Sequence, residues 1–410
     1  MNFIRFIKES AKIVVRGNKW YYAWILSLLV LIIWGGLAYL DQLREGLIVT
    51  NMSDSISWAF YIGNLTFLVG VAAAAILLVI PAYVYNWKPL KEVVIFGELL
   101  AISSIIMCLL FVIVDIGNPL RLWHMIPFIG RLNLPDSLLA WDSVVLSLYF
   151  VLNIVIVTYL LYTHFKKKEY KKSIFLPLVL FSIPLAISIH TVTAFLYNGL
   201  GSRPYWNSAL LAPKFLASAF CSGPAVLLIL FQVLNKTTKF KIKKEAIWKI
   251  AELMAYAMFI NLFFFFSEIF KEVYSDTEHL VHLKYLFVGI GENKDIVLYA
   301  WASVIMSVIA FLLFLIPKTR KNIITLNIGA ILIYFGVYIE KGIALLTPGF
   351  TPDVLGQIHT YRPSFTEIRI SMAIFAIGFL FFTLLTKIAI AIMFEGFNID
   401  RLKKRPGSQL

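Results

Sequence analysis

The chain has 410 residues, of which 60% are hydrophobic and only 15% charged, and its mean hydropathy is +0.83. A soluble globular protein is nearer roughly 45–50% apolar and about 25% charged, so a soluble enzyme, a disordered chain and a secreted disulfide scaffold are excluded. The formal net charge of +14 is carried in short stretches between apolar blocks, which makes it a topology signal and not a nucleic-acid footprint.

Residues 1–19 read as a basic tail in which 2–13 (NFIRFIKESAKI) has the pattern of an amphipathic helix on a membrane surface. The apolar stretch after it is longer than a signal-peptide core and lacks a small-x-small cleavage site, so it is expected to stay as the first span. A helix crossing a hydrocarbon core of about 30 Å needs roughly 20 apolar residues. Segments that qualify, in chain order, are 20–40, 57–85, 92–115, 138–163, 173–200, 211–234, 248–270, 296–316, 323–346 and 369–394, with a second basic tail over 395–410. Runs such as Leu99–Val114 lack the alternation of a membrane barrel strand. The expected fold is therefore all-α, a polytopic membrane protein with ten transmembrane helices. Lys and Arg are about three times as frequent in the tails and connections of one side as in those of the other, which puts both termini in the cytoplasm.

Charged groups in a bilayer are costly, so each one inside a span is a functional candidate. Asn64 lies about 10 Å in from the outer end of the second span. Asp115 closes the third span at its outer end and Asp142 opens the fourth. His190 stands in the fifth, in the run SIPLAISIHTVT, where Pro184 removes one backbone bond. Glu268 and the Glu340–Lys341 pair sit near outer ends too. The inner half holds fewer such groups, among them Glu98, with Ser103 and Ser104 further along the same span, and Glu252. Interfacial salt bridges that only orient helices are the plain alternative for most of these. His190 has less reason to be in an apolar span unless something polar meets it.

Three outer loops mix aromatic, Gly, Pro and Arg residues. They contain His124 (in DIGNPLRLWH), Tyr197 and Arg203 (in YNGLGSRPYWN), and His359 with Arg362 in the stretch from Thr347 to Ile368. Such loops suit a docking surface for another subunit. Of six histidines only His190 is well inside a span; His124, His279, His282 and His359 fall in outer loops. A bis-histidine haem needs facing histidines, and the two cysteines, Cys108 and Cys221, form no CxxC. No haem, no iron–sulfur cluster and no metal is expected in this chain. A secondary transporter or ion-conducting protein would also use broken helices and buried acids, but its polar residues belong at the midplane. A purely structural anchor is a third reading.

The stretches PAYVYNWKPLKEVVIFGELLAISSIIMCLLFVIVDIGNPLRLWHMIP (81–127), SLLAWD (137–142) and SIHTVTAFLYNGLGSRPYWNSALLAPKFLASAF (188–220) resemble the NrfD/PsrC family of quinone-interacting membrane subunits. The ten-span pattern is similar to members of the Dsr complex and of Hdr-like menaquinol oxidoreductases. The resemblance implies two four-helix bundles, spans 2–5 and 6–9, with spans 1 and 10 peripheral, in the cell membrane of a prokaryote. It implies menaquinone or menaquinol as substrate near the outer face, against a docked ferredoxin-like iron–sulfur subunit. Cytochrome c, cytochrome b and Hdr-like iron–sulfur subunits are the further partners it suggests, beside membrane lipids and without nucleic acid. By the same resemblance Asn64, His190, His124, Tyr197 and Arg203 are quinone-pocket candidates, and Asp115 pairs with Arg121. His190 would pass a proton, with Asp115 or Asp142 orienting or relaying, and Glu98, Ser103 and Ser104 would begin a proton path from the cytoplasm.

Overall fold

Long apolar stretches leave the backbone no hydrogen-bond partner but itself in hydrocarbon, so they fold as helices. The computed structural model describes residues 2–126, 129–238, 240–277 and 279–394; the basic tail expected over 395–410 lies outside them. Among the described residues ten helices are long and apolar enough to cross a membrane. They are span 1 (Lys19–Glu45), span 2 (Phe60–Val84), span 3 (Val94–Asp115), span 4 (Leu138–Phe165), span 5 (Lys172–Asn198), span 6 (Leu211–Thr237), span 7 (Lys244–Ser275), span 8 (Val297–Leu315), span 9 (Ile323–Phe350) and span 10 (Phe365–Met393). The chain is the all-α, ten-span protein its hydropathy calls for.

Span starts are written in local polar residues. Asn18 Oδ1 accepts from Tyr21 N at 2.9 Å, Ser137 Oγ from Ala140 N at 3.2 Å and Asn322 Oδ1 from Ile324 N at 2.9 Å, caps worth about 1 kcal/mol each. Span 10 opens with a full capping box: Ser364 Oγ accepts from Glu367 N, and Glu367 Oε2 accepts from Ser364 N at 2.8 Å.

Two spans are interrupted where the hydropathy reads as continuous. Span 2 runs Phe60–Ala72, breaks at Ala73, resumes over Ala74–Val79 and ends in a π-helical turn, Ile80–Val84. Pro81 accounts for the last part. It has no N–H and crowds the carbonyl four residues earlier, and the wider turn closed by Tyr85 N on Ile80 O at 3.2 Å relieves both. Span 9 breaks at Gly342, after Ile323–Lys341, and continues as Ile343–Phe350. A Cβ on Gly63 would lie 3.2 Å from Gly342 Cα, so two glycines let spans 2 and 9 touch backbone to backbone at the break. The outer stretch from Thr347 to Ile368, read as a loop, is shorter than expected, because its ends belong to spans 9 and 10. Similarly, His279 and His282 lie on a short helix, His279–Phe287, and not in a loop.

Spans 2–5 pack into one group of four and spans 6–9 into another, and the groups meet along spans 2, 5, 6 and 9. Spans 1 and 10 lie against each other, and span 10 packs on span 3. Span 2 is the axis of the molecule, with 82% of its apolar window buried, against 17% for span 1. The amphipathic helix Asn2–Val15 does more than lie on a surface. Its Phe6 is buried, edge-on to Tyr162 and Phe165 at 5.7 and 5.5 Å between ring centroids, and so clamps the end of span 4.

Candidate functional site

Polar side chains from spans 1, 2, 3, 4, 5, 9 and 10 converge at the end of the bundle opposite the Asn2–Val15 helix, the distal end. His190 lies about 12 Å of helix rise from the distal end of span 5 and is 1% exposed. Its Nδ1 is 2.8 Å from Ala186 O in the preceding turn. A carbonyl only accepts, so Nδ1 carries the ring proton and Nε2 of the neutral ring is left as an acceptor. That Nε2 is buried and has no hydrogen-bond partner among the described residues. An unpaired buried polar atom costs about 1–3 kcal/mol, which makes Nε2 a strong point of attachment for a ligand hydroxyl.

The backbone therefore orients this ring. The carboxylate–histidine contact expected with Asp115 or Asp142 is corrected, because both acids are placed otherwise. Asp142, on span 4, is 2% exposed and accepts from Thr193 Oγ1 at 2.7 Å; the same hydroxyl lies 2.7 Å from Ile189 O. One hydroxyl proton serves two acceptors only in part, so the trio is fully paired when Asp142 brings a proton of its own. Thr193 is one turn from His190, so the acid sits beside the histidine along span 5 without touching it.

Asp115 is also corrected. Its expected partner, Arg121, is exposed on a short turn, Pro119–Met125, and among the described residues no ion pair joins them. Asp115 Oδ1 is buried without a hydrogen bond. The neighbouring space is filled from span 1, where Gln42 donates to Val114 O at 2.7 Å and accepts from Tyr61 OH at 2.8 Å. His124, on the same turn as Arg121, is exposed and stacks on Trp123 at 3.8 Å. It stays outside the buried cluster.

Asn64 and Tyr197 join the cluster from different sides of span 2. Tyr338 of span 9 donates to Asn64 Oδ1 at 2.7 Å, and Asn64 Nδ2 donates to Phe60 O at 2.8 Å, with Ser371 of span 10 at 3.5 Å. Tyr197, fully buried on span 5, is 2.5 Å from Thr66 of span 2. So Asn64 faces spans 9 and 10 while Thr66 faces span 5. Arg203 is set apart: its guanidinium lies over the Phe350 ring at 4.7 Å. The loop it belongs to is anchored by Trp206, which donates to Leu345 O at 2.8 Å. A Cβ on Gly349 would fall 1.9 Å from Trp206 Cε2, so only glycine fits there.

Several members went unread at the sequence level. Glu367 is completely buried at the start of span 10 and accepts from Asn51 N at 3.1 Å, Ser364 N at 2.8 Å and Tyr361 OH at 2.5 Å. Burial pushes the Tyr361 hydroxyl up from its ordinary pKa, and the Glu367 carboxylate adds to the shift. In the same loop the Asp353 carboxyl is held below its usual range, first by Gln357 N–H and then by the His359 ring at 3.1 Å.

A second polar cluster occupies the distal half of spans 6, 7 and 9. Lys214 lies 3.4 Å from Glu268 and 3.6 Å from Glu340, and Asn261 donates to Glu340 at 3.4 Å. Among the described residues Glu340 and Lys341 do not pair with each other, because consecutive helical residues point apart. Lys341 instead sits over the Phe215 ring, 3.1 Å from its centroid. A cavity of about 40 Å³ between Tyr205, Lys214, Ser303, Glu340 and Lys341 has room for a few waters and no larger ligand.

At the opposite end, Glu98 is 2% exposed with Oε2 unpartnered. Ser103 bonds its own helix at Leu99 O, and Ser104 Oγ has no partner. No direct hydrogen bond links the three among the described residues. Nor does any group of three His, Cys, Asp or Glu among them come together to hold a metal ion.

Comparison with known proteins agrees with the resemblance read from 81–220. The family description "Polysulphide reductase, NrfD" matches residues 48–352. The chain is 25% identical to the Hdr-like menaquinol oxidoreductase integral membrane subunit of Archaeoglobus fulgidus, over 90% of this chain and 95% of that one. It is 24% identical to a putative dimethyl sulfoxide reductase membrane subunit of Halobacterium salinarum, over 86% and 87%. It is 22% identical to a selenate reductase subunit of Mesobacillus selenatarsenatis, over 89% and 93%.

Proposed function

We propose, for a chain that belongs to the NrfD polysulphide reductase family, that it is the quinone-binding subunit of a multi-subunit menaquinol oxidoreductase in a prokaryotic cell membrane. The observation that carries this reading is the orphaned Nε2 of His190 at the distal end of the first bundle. A relative covered nearly end to end is named a menaquinol oxidoreductase membrane subunit. The Lys and Arg bias puts both termini in the cytoplasm and the distal end at the extracytoplasmic face. There the aromatic loops would receive a ferredoxin-like iron–sulfur subunit. Cytochrome b, cytochrome c and Hdr-like iron–sulfur subunits of a sulfur-metabolising chain are the wider assembly we infer.

In this reading a menaquinol supplies two electrons and two protons. His190 Nε2 accepts the proton of one hydroxyl, with Nδ1 held by Ala186 O so that the acceptor always points the same way. Asp142, bridged to the same helix by Thr193 but out of contact with His190, would in its ionised form take that proton through an intervening water and release it toward the distal surface. The proton of the second hydroxyl leaves through water toward the same surface. Asn64, held by Tyr338, is the candidate hydrogen-bond partner of the second quinone oxygen. The electrons leave to the docked iron–sulfur subunit. The purified complex should carry extractable menaquinone and reduce its iron–sulfur centre when given a menaquinol analogue. A chain that purifies alone, free of both quinone and redox partners, would favour a transporter.

Glu98 is the proposed entry of a proton path from the cytoplasmic side. Waters must bridge it to Ser103 and Ser104, since the side chains do not meet. Glu98→Gln in liposomes is expected to abolish proton uptake from the inside while quinol oxidation continues. Undiminished uptake would end the idea.

A further inference from the structure

A groove of about 250 Å³ opens on the outer surface of the bundle between spans 7 and 8. Phe265 and Ile269 of span 7 and Trp301 and Val304 of span 8 form its walls, and the helix His279–Phe287 roofs it with Leu283 and Phe287. Trp301 Nε1 donates to Phe287 O at 3.0 Å and ties roof to wall. Every wall is apolar. Two cations stand at the rim. Lys284 is exposed on the roof helix. Lys294 is exposed as well, and a Cβ built on Gly289, just past that helix, would lie 2.6 Å from its Cγ. Gly289 N in turn bonds Lys284 O at 2.8 Å, so both lysines rise from the same corner. Among the described residues neither has a carboxylate within ion-pair distance. Asp295, next to Lys294, is engaged by Arg362 at 3.1 Å, and Glu292 is exposed on the same turn.

We propose that this groove holds one acyl chain of an anionic phospholipid, with the phosphate resting between Lys284 and Lys294. An apolar void takes no water, and an unfilled one forfeits the dispersion contacts of its lining. In a bilayer the filler at hand is hydrocarbon. At about 250 Å³, the groove has room for a stretch of several methylenes. Two ammonium groups at the membrane–water boundary select the head, at about 1 kcal/mol each. The placement has a consequence for the interior. Phe265, Phe287 and Val304 also line the cavity that holds Lys214 and Glu340. A chain in the groove thus seals those charges from the lipid. The assignment rests only on the chain spanning a membrane, and stands apart from the quinone reading.

The test uses the purified complex, delipidated in detergent and titrated with phosphatidylglycerol brominated on its acyl chains. Bromine quenches tryptophan on contact, and Trp301 lines the groove. Quenching should saturate, should be much weaker with brominated phosphatidylcholine, and should lose one component in Trp301→Phe. Lys284→Gln with Lys294→Gln should weaken the phosphatidylglycerol titration about 30-fold, two lysines at about 1 kcal/mol each, and leave quinol oxidation unchanged. Ile269→Trp, which fills the groove, should remove the retained phospholipid found on extraction. Equal quenching by the two lipids, no Trp301 component, or a quinone tail or partner helix found in the groove would overturn the proposal.

Discussion

Replacing His190 with alanine is expected to slow menaquinol oxidation by about 10²–10⁴-fold, the usual worth of a positioned general base, while the complex still assembles. Among the described residues the ring makes one hydrogen bond, to a carbonyl of its own helix, so its removal breaks no hydrogen bond between spans. What disappears is the acceptor at Nε2, which no other side chain among the described residues uses. His190→Gln separates binding from proton transfer. Its amide can reach a quinol hydroxyl but takes up no proton at neutral pH. KM should then stay near its original value while kcat falls. Redox spectra of the iron–sulfur centre and co-purification of all subunits control for assembly. Unchanged turnover in both variants would remove His190 from the chemistry and leave Asn64 and Tyr338 as the side chains to examine.

The spans and the family were legible because hydropathy acts over 20-residue windows and needs no knowledge of neighbours. His190 was legible for a related reason: it is the single imidazole well inside an apolar run. Partners were much harder to read. Asn64 meets Tyr338 across 274 positions of sequence, and a tyrosine in a membrane helix carries no mark of its own. Asp115 looked paired with Arg121 because the two are close in the chain, but the turn Pro119–Met125 carries the arginine outward. Glu367 stands two residues before the span expected over 369–394, where a carboxylate reads as interfacial. Its burial follows from the loop folding back over it through Tyr361 and Asn51. The breaks at Ala73 and Gly342 were hidden because alanine and glycine count as apolar in hydropathy. At Gly342 the break lets the backbones of spans 2 and 9 meet.

Lys214 was passed over for the same reason as Glu367, since a lysine one turn into a span is expected to reach back to water. It does not, and this yields the largest expected effect on stability. Lys214 is the cation facing both Glu268 and Glu340, with side-chain exposures of 13%, 21% and 17%. Lys214→Met leaves two carboxylates facing each other with little water, and breaking such a buried pair costs about 3–5 kcal/mol. Lys341 makes no ion pair with either acid among the described residues; its ammonium lies over the Phe215 ring. The purified complex should melt at a clearly lower temperature, in scans run at fixed detergent and lipid. Adding Glu340→Gln to Lys214→Met should recover part of the loss, because one orphaned charge is then gone. A structural ion triad moves stability and leaves the KM for quinol where it was. If Lys214→Met melted like the parent, the three groups would have to be hydrated in the membrane, and the small cavity beside them would need to be far wetter than its volume of about 40 Å³ allows.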